Sequence, residues 1–187
     1  MTKRIVIGGM LLSLCILLPF LTGQIPEVGN MLLPMHIPVL LAGFLLGPIY
    51  GGVIGLAAPI LRSLLFGRPI FYPTAISMAI ELCAYGVLAG LIYLALLSLL
   101  DKKRPGTLSL IGPIYITLVL AMLGGRVAFG VVQALLLGFG EGGFTLAYFF
   151  AEAFTNAILG ILIQLALIPA LLLALEKAGV THKGRLK

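Results

Sequence analysis

Residues 35–66 read Met35-His36-Ile37-Pro38-Val39-Leu40-Leu41-Ala42-Gly43-Phe44-Leu45-Leu46-Gly47-Pro48-Ile49-Tyr50-Gly51-Gly52-Val53-Ile54-Gly55-Leu56-Ala57-Ala58-Pro59-Ile60-Leu61-Arg62-Ser63-Leu64-Leu65-Phe66, and their folding decides the architecture of the whole chain. The run is apolar throughout but broken at Gly47-Pro48 and again at Gly51-Gly52. Proline removes a rung of the helical hydrogen-bond ladder, and glycine tolerates a turn. Two short helices, about 35–47 and 49–65, turning back at Gly47-Pro48, explain the stretch better than one helix of over thirty residues.

Outward from this hairpin lie runs of membrane length. A span needs roughly 20 apolar residues, and the segments at about 4–22, 74–100, 108–138 and 144–175 each qualify. The first follows Lys3-Arg4 in the manner of a secretory signal. No small-x-small cleavage site closes it, however, and further spans follow, so it reads as a retained helix. Residues 1–187 are thus expected to form a single integral membrane domain, an all-α bundle of six transmembrane helices.

Composition agrees. The chain is 61% hydrophobic and 10% charged, whereas soluble domains run at about 45–50% and about 25%. An ordinary soluble domain is excluded. The formal charge is +6, and nine of the twelve basic residues fall in three places: Lys3 and Arg4; Lys102, Lys103 and Arg104; Lys177, Lys183, Arg185 and Lys187. Six crossings with both termini cytoplasmic put all three clusters inside, as the positive-inside bias requires. A five-helix arrangement would strand the basic carboxyl tail outside. No basic face is interleaved with aromatics, which argues against nucleic-acid binding.

Ionisable groups at bilayer depth are costly and mark function by default. Arg62, Glu81, Arg126 and Glu152 qualify, with His36, Gln133, Asn156 and Gln164 as polar companions. On the expected helices Glu81 lies roughly 10 Å, Glu152 roughly 12 Å and Arg126 roughly 18 Å from the outer end, at 1.5 Å per residue. A common depth on different helices points to one outward-facing polar pocket. Glu81 and Tyr85 are four apart, as are Glu152 and Asn156, and Arg126 and Gln133 are two turns apart, so each pair shares a face. The plainer reading is that Arg126 and Arg62 simply pair with Glu152 and Glu81. His36, between Pro34 and Pro38, reads equally as a packing group.

Other features carry less. Cys15 and Cys83 sit inside apolar runs and read as small hydrophobes. The glycines at 138, 140, 142 and 143 lack the Lys-Ser/Thr ending of a phosphate loop. There is no His-Glu-x-x-His, no Gly-x-Ser-x-Gly and no acidic metal loop, so no metal site, cofactor or catalytic group is expected.

With these residues in view, the chain resembles the substrate-binding S components of energy-coupling factor (ECF) transporters. The likeness rests on Leu32 to Pro48, on Gly51-Gly52-Val53-Ile54-Gly55, on Pro59 to Gly67 and on Pro73-Thr74-Ala75 through Glu81. The resemblance implies a non-enzymatic, multi-pass subunit of a bacterial cell membrane. Such a subunit captures a water-soluble vitamin or related micronutrient at its outer face. It then docks on a transmembrane coupling subunit and delivers the ligand inward, driven by two cytoplasmic ATPases. By position, the family's pocket falls on Glu81, Tyr85, Arg126, Gln133, Glu152 and Asn156, with Arg62 and His36 beside them and Asn30, Phe71 and Tyr72 as lid residues. Docking in the family uses small residues on the first helix; the nearest match is Gly9 and Ser13. Two cationic side chains favour a carboxylate, and pantothenate fits; riboflavin, folate, cobalamin or a queuosine precursor are alternatives. The competing function class is a small polytopic membrane enzyme, such as a lipid acyl- or phosphotransferase. Such enzymes place catalytic groups at the cytoplasmic interface, where this chain offers only Asp101, Lys102, Lys103 and Arg104.

Overall fold

The computed structural model describes residues 2–22, 31–99, 107–138, 145–151, 155–182 and 185–186. Six helices of more than ten residues order the described chain: α1 Thr2–Leu17, α2 His36–Leu46, α3 Pro48–Phe66, α4 Ile76–Leu99, α5 Ile111–Leu137 and α6 Ile158–Lys177. A two-residue antiparallel ladder, Thr181–His182 with Arg185–Leu186, follows α6 and is the one departure from helix among the described elements.

Gly47 ends α2 at φ 99°, a conformation that costs glycine nothing, and Pro48 opens α3, where its missing N–H is no loss. The chain reverses there. In a straight helix Gly43 and Gly51 would be roughly 12 Å apart, yet a Cβ on Gly51 would lie 2.8 Å from the Gly43 Cα. Gly51 also abuts Gly86 of α4, and Gly55 abuts Leu82. These contacts run in opposite order along α3 and α4, so the two helices are antiparallel and touch backbone to backbone. With lipid tails as apolar as leucine, such close approach is what holds membrane helices together.

Among the described residues five segments are long and apolar enough to cross a membrane: Thr2–Leu21, Pro48–Phe66, Phe71–Leu99, Ile111–Leu137 and Ile158–Lys177. The expected sixth spanning helix, α2, has only 11 residues, roughly 16 Å against a hydrocarbon core of about 30 Å. The helix starts at His36, and Gly47 clips it at the other end. Nine of its eleven residues are buried, which explains an all-round apolar sequence: α2 is the centre of the bundle, shielded from lipid by its neighbours. The expected last helix, 144–175, is also divided. A short helix, Leu146–Phe150, precedes α6, and Asn156 donates its backbone N–H to Ala151 five residues back before the regular helix begins. Asparagine competes poorly for helix interiors, and a wide turn forms where it stands.

Candidate functional site

The α4–α5 pairing sets the site. Tyr72, just ahead of α4, donates its hydroxyl to the carbonyl of Leu136 at 2.6 Å; Glu81 meets Arg126; Tyr85 packs on Gly125 and Leu88 on Gly124. The order is antiparallel, and it brings the start of α4 level with the end of α5. Helix α2 runs parallel to α4, with His36 against Tyr85 and Phe44 against Tyr93. Three helices therefore deliver polar side chains to one level.

At that level Arg126 donates through Nη1 to Glu81 Oε1 at 2.8 Å, with both side chains buried. His36 Nε2 lies 3.6 Å from the same carboxylate oxygen, too far for a hydrogen bond. Its ring meets Tyr85 edge to face at 5.2 Å. Tyr85, one turn beyond Glu81, is within electrostatic reach of both Glu81 and Arg126. The pair is not fully satisfied. Arg126 Nε and Nη2, both ring nitrogens of His36, Gln133 Oε1 and both amide atoms of Gln164 are buried without a hydrogen-bond partner among the described residues. Each such group normally costs on the order of 1–3 kcal/mol. Those of Arg126 and His36 flank one carboxylate, and such a gathering is the mark of a site whose polar demand is met by something other than the protein.

Gln164 is a fully buried residue of α6. Gly160 of α6 lies against the backbone of Met31 and Leu32, and Gln164 is one turn further along the same face. Thr117, toward the other end of α5, is a further buried hydroxyl without a hydrogen-bond partner among the described residues, and its sequence context does not mark it.

Not every expected residue belongs here. Among the described residues Arg62 pairs with no carboxylate. It donates to the carbonyl of Ile16 at 2.6 Å and lies over the rings of Phe20 and Phe66, which meet edge to face at 4.9 Å. The last carbonyls of α1 have no partner within the helix, and a guanidinium is well suited to satisfy one. Arg62 thus ties the end of α1 to the end of α3. Arg62→Ala is expected to lower stability by about 2 kcal/mol, the loss of a charged hydrogen bond, while leaving ligand affinity unchanged; thermal unfolding and titration calorimetry on the same preparation check both. Asn156 is exposed rather than gathered into the cluster, and Phe71 and Tyr72 are exposed at this end of the bundle. Glu152 and Asn30 lie outside the described residues.

On α1, Gly9 and Ser13 both face outward, and Ser13 donates its hydroxyl to the Gly9 carbonyl at 2.9 Å. Gly8, Leu11 and Cys15 face the core instead. Among the described residues no three metal-ligating side chains gather.

No curated protein and no solved structure matches the chain. A family model does, that of the ECF transporter substrate-specific component, and it matches residues 3–175. That span takes in all six helices but for the first residue of α1 and the last two of α6, and so includes the buried Glu81–Arg126 pair. The chain belongs to the substrate-specific components of ECF transporters.

Proposed function

We propose that this subunit captures a water-soluble vitamin or related micronutrient from outside the cell, with pantothenate the first candidate, and passes it inward through a coupling subunit powered by two ATPases. The observation that carries the reading is the buried Glu81–Arg126 pair with His36 beside it, together with the buried Gln133 and Gln164, polar groups with hydrogen-bonding capacity to spare in an apolar bundle. Its sidedness follows from charge. Lys3 and Arg4 open α1 and Lys177 closes α6, while Ile16, at the far end of α1, joins Arg62 at the end of α3. The positive-inside bias places the Lys3–Arg4 end in the cytoplasm and the Arg62 end outside. Glu81 and Arg126 are nearer the outer end of their helices than the inner. Six crossings of a bacterial cell membrane with α2 as the short one, both termini inside and no catalytic role, complete the arrangement. The segment at Phe71 and Tyr72 is the described part of a lid over the site.

A broad panel of water-soluble vitamins in thermal-shift and calorimetric assays tests the capture step. One member should bind tightly; failure of all of them with folded protein would contradict the reading. Docking is tested separately. A Cβ on Gly9 would meet nothing within 4 Å and the residue faces outward, so Gly9→Phe should leave folding and ligand binding intact. Uptake by the assembled transporter should fall about tenfold or more, equivalent to roughly 1.4 kcal/mol of coupling.

A further inference from the structure

The guanidinium of Arg126 is a flat fork with two usable edges. One end of it, Nη1, is committed to Glu81. Nε and Nη2 form the side edge, two parallel donors, and both are buried with no hydrogen-bond partner among the described residues. Arg126 is 5% exposed, Gln133 2% and Gln164 0%, so bulk solvent does not reach these groups. The side edge fits two neighbouring acceptor atoms, and both a carboxylate and a heterocycle edge present that pattern.

Charge decides between them. Glu81 already neutralises Arg126 at 2.8 Å, the His36 imidazole stands 3.6 Å from the same carboxylate without a hydrogen bond to it, and the second cation expected from the sequence, Arg62, is occupied at Ile16. A carboxylate added to the side edge would leave a net negative charge in a low-dielectric interior, which is costly. An uncharged group makes the same two hydrogen bonds and adds no charge. The remaining unpartnered atoms are in keeping: Gln133 Oε1 accepts, and the Gln164 amide both donates and accepts. We propose that the side edge of Arg126 receives an uncharged ligand group with two neighbouring hydrogen-bond acceptors, such as a heterocycle edge or a hydroxy-amide. Any carboxylate on the ligand points away from it. In pantothenate the dihydroxy-amide end would be the buried one. The proposal rests on the vitamin-binding reading above and narrows it.

The test is calorimetric titration of the purified full-length chain in nanodiscs with acid–amide pairs: pantothenate and pantothenamide, biotin and biotinamide, nicotinate and nicotinamide, together with riboflavin. In whichever pair binds, the amide should bind within about threefold of the acid or more tightly, and Glu81→Gln should shift the ratio toward the acid by about tenfold. Riboflavin as the sole binder also agrees, because it is uncharged. An acid preferred by more than about threefold in the wild type would overturn the proposal, and that result stands even if Glu81→Gln fails to fold. An unchanged ratio in a folded Glu81→Gln variant would overturn it as well. No binding of any probe by folded wild type would remove the vitamin-binding reading itself, and the proposal with it.

Discussion

Arg126→Ala is expected to abolish ligand retention and to lower stability by about 3–5 kcal/mol, because it leaves the Glu81 carboxylate buried without its cation. Both side chains lie in the bundle interior, where the partner's charge is what makes burial tolerable. The two effects separate in a double-mutant cycle. Glu81→Gln combined with Arg126→Met removes both charges at similar volume, and most of the lost stability should return, since a buried ion pair is often no better than its neutral replacement. Ligand retention should not return, because methionine offers no donors. Thermal unfolding in detergent and calorimetric titration of the four proteins give both readings. Equal stability of wild type and Arg126→Ala would mean that the two charges do not meet in the folded protein.

The second large effect concerns the helix contacts that place the site. A Cβ on Gly86 would collide with the backbone of Gly51, which cannot yield as a flexible side chain would. Gly86→Val is therefore expected to force α3 and α4 apart at a cost of about 3 kcal/mol or more, the upper range for overpacking. Loss of monodisperse protein in size-exclusion chromatography and a lowered unfolding temperature would report it. Because Glu81 and Tyr85 are on the turns of α4 just ahead of Gly86, binding should weaken along with stability. Gly112, where a Cβ would meet nothing within 4 Å, is the control: Gly112→Val should be close to neutral. A well-folded Gly86→Val variant would show that the close approach of α3 and α4 is not required.

Much of the arrangement was legible in the sequence, for reasons that differ residue by residue. The break at Gly47-Pro48 was visible because both residues carry their backbone preference with them. Glu81 and Arg126 stood out because a charge in an apolar helix demands a partner, and each supplies the other's. Arg62 obeyed the same rule with a different partner, a main-chain carbonyl at Ile16, and carbonyls are present at every position and so leave no mark in a sequence. The brevity of α2 was legible, at about 35–47, but its burial was not. Its composition is that of a spanning helix, and only the packing around it reveals that the apolar faces meet protein rather than lipid. The wide turn at Asn156 escaped because one asparagine is a weak signal against a long apolar background. Of the small residues, the sequence singled out Gly9 and Ser13, whereas the tightest backbone contacts involve Gly51, Gly55, Gly86 and Gly90, whose role depends on which helix lies opposite.

That the Arg126 cluster holds the transported ligand is tested most directly by mass spectrometry of small molecules released from gently purified protein, comparing wild type with Arg126→Lys. Lysine keeps a positive charge opposite Glu81 but lacks the paired donors of the guanidinium side edge. Wild type should release a water-soluble vitamin in near-equal molar amount, and folded Arg126→Lys should release little or none. A ligand carried equally by both proteins would place the binding site elsewhere in the bundle.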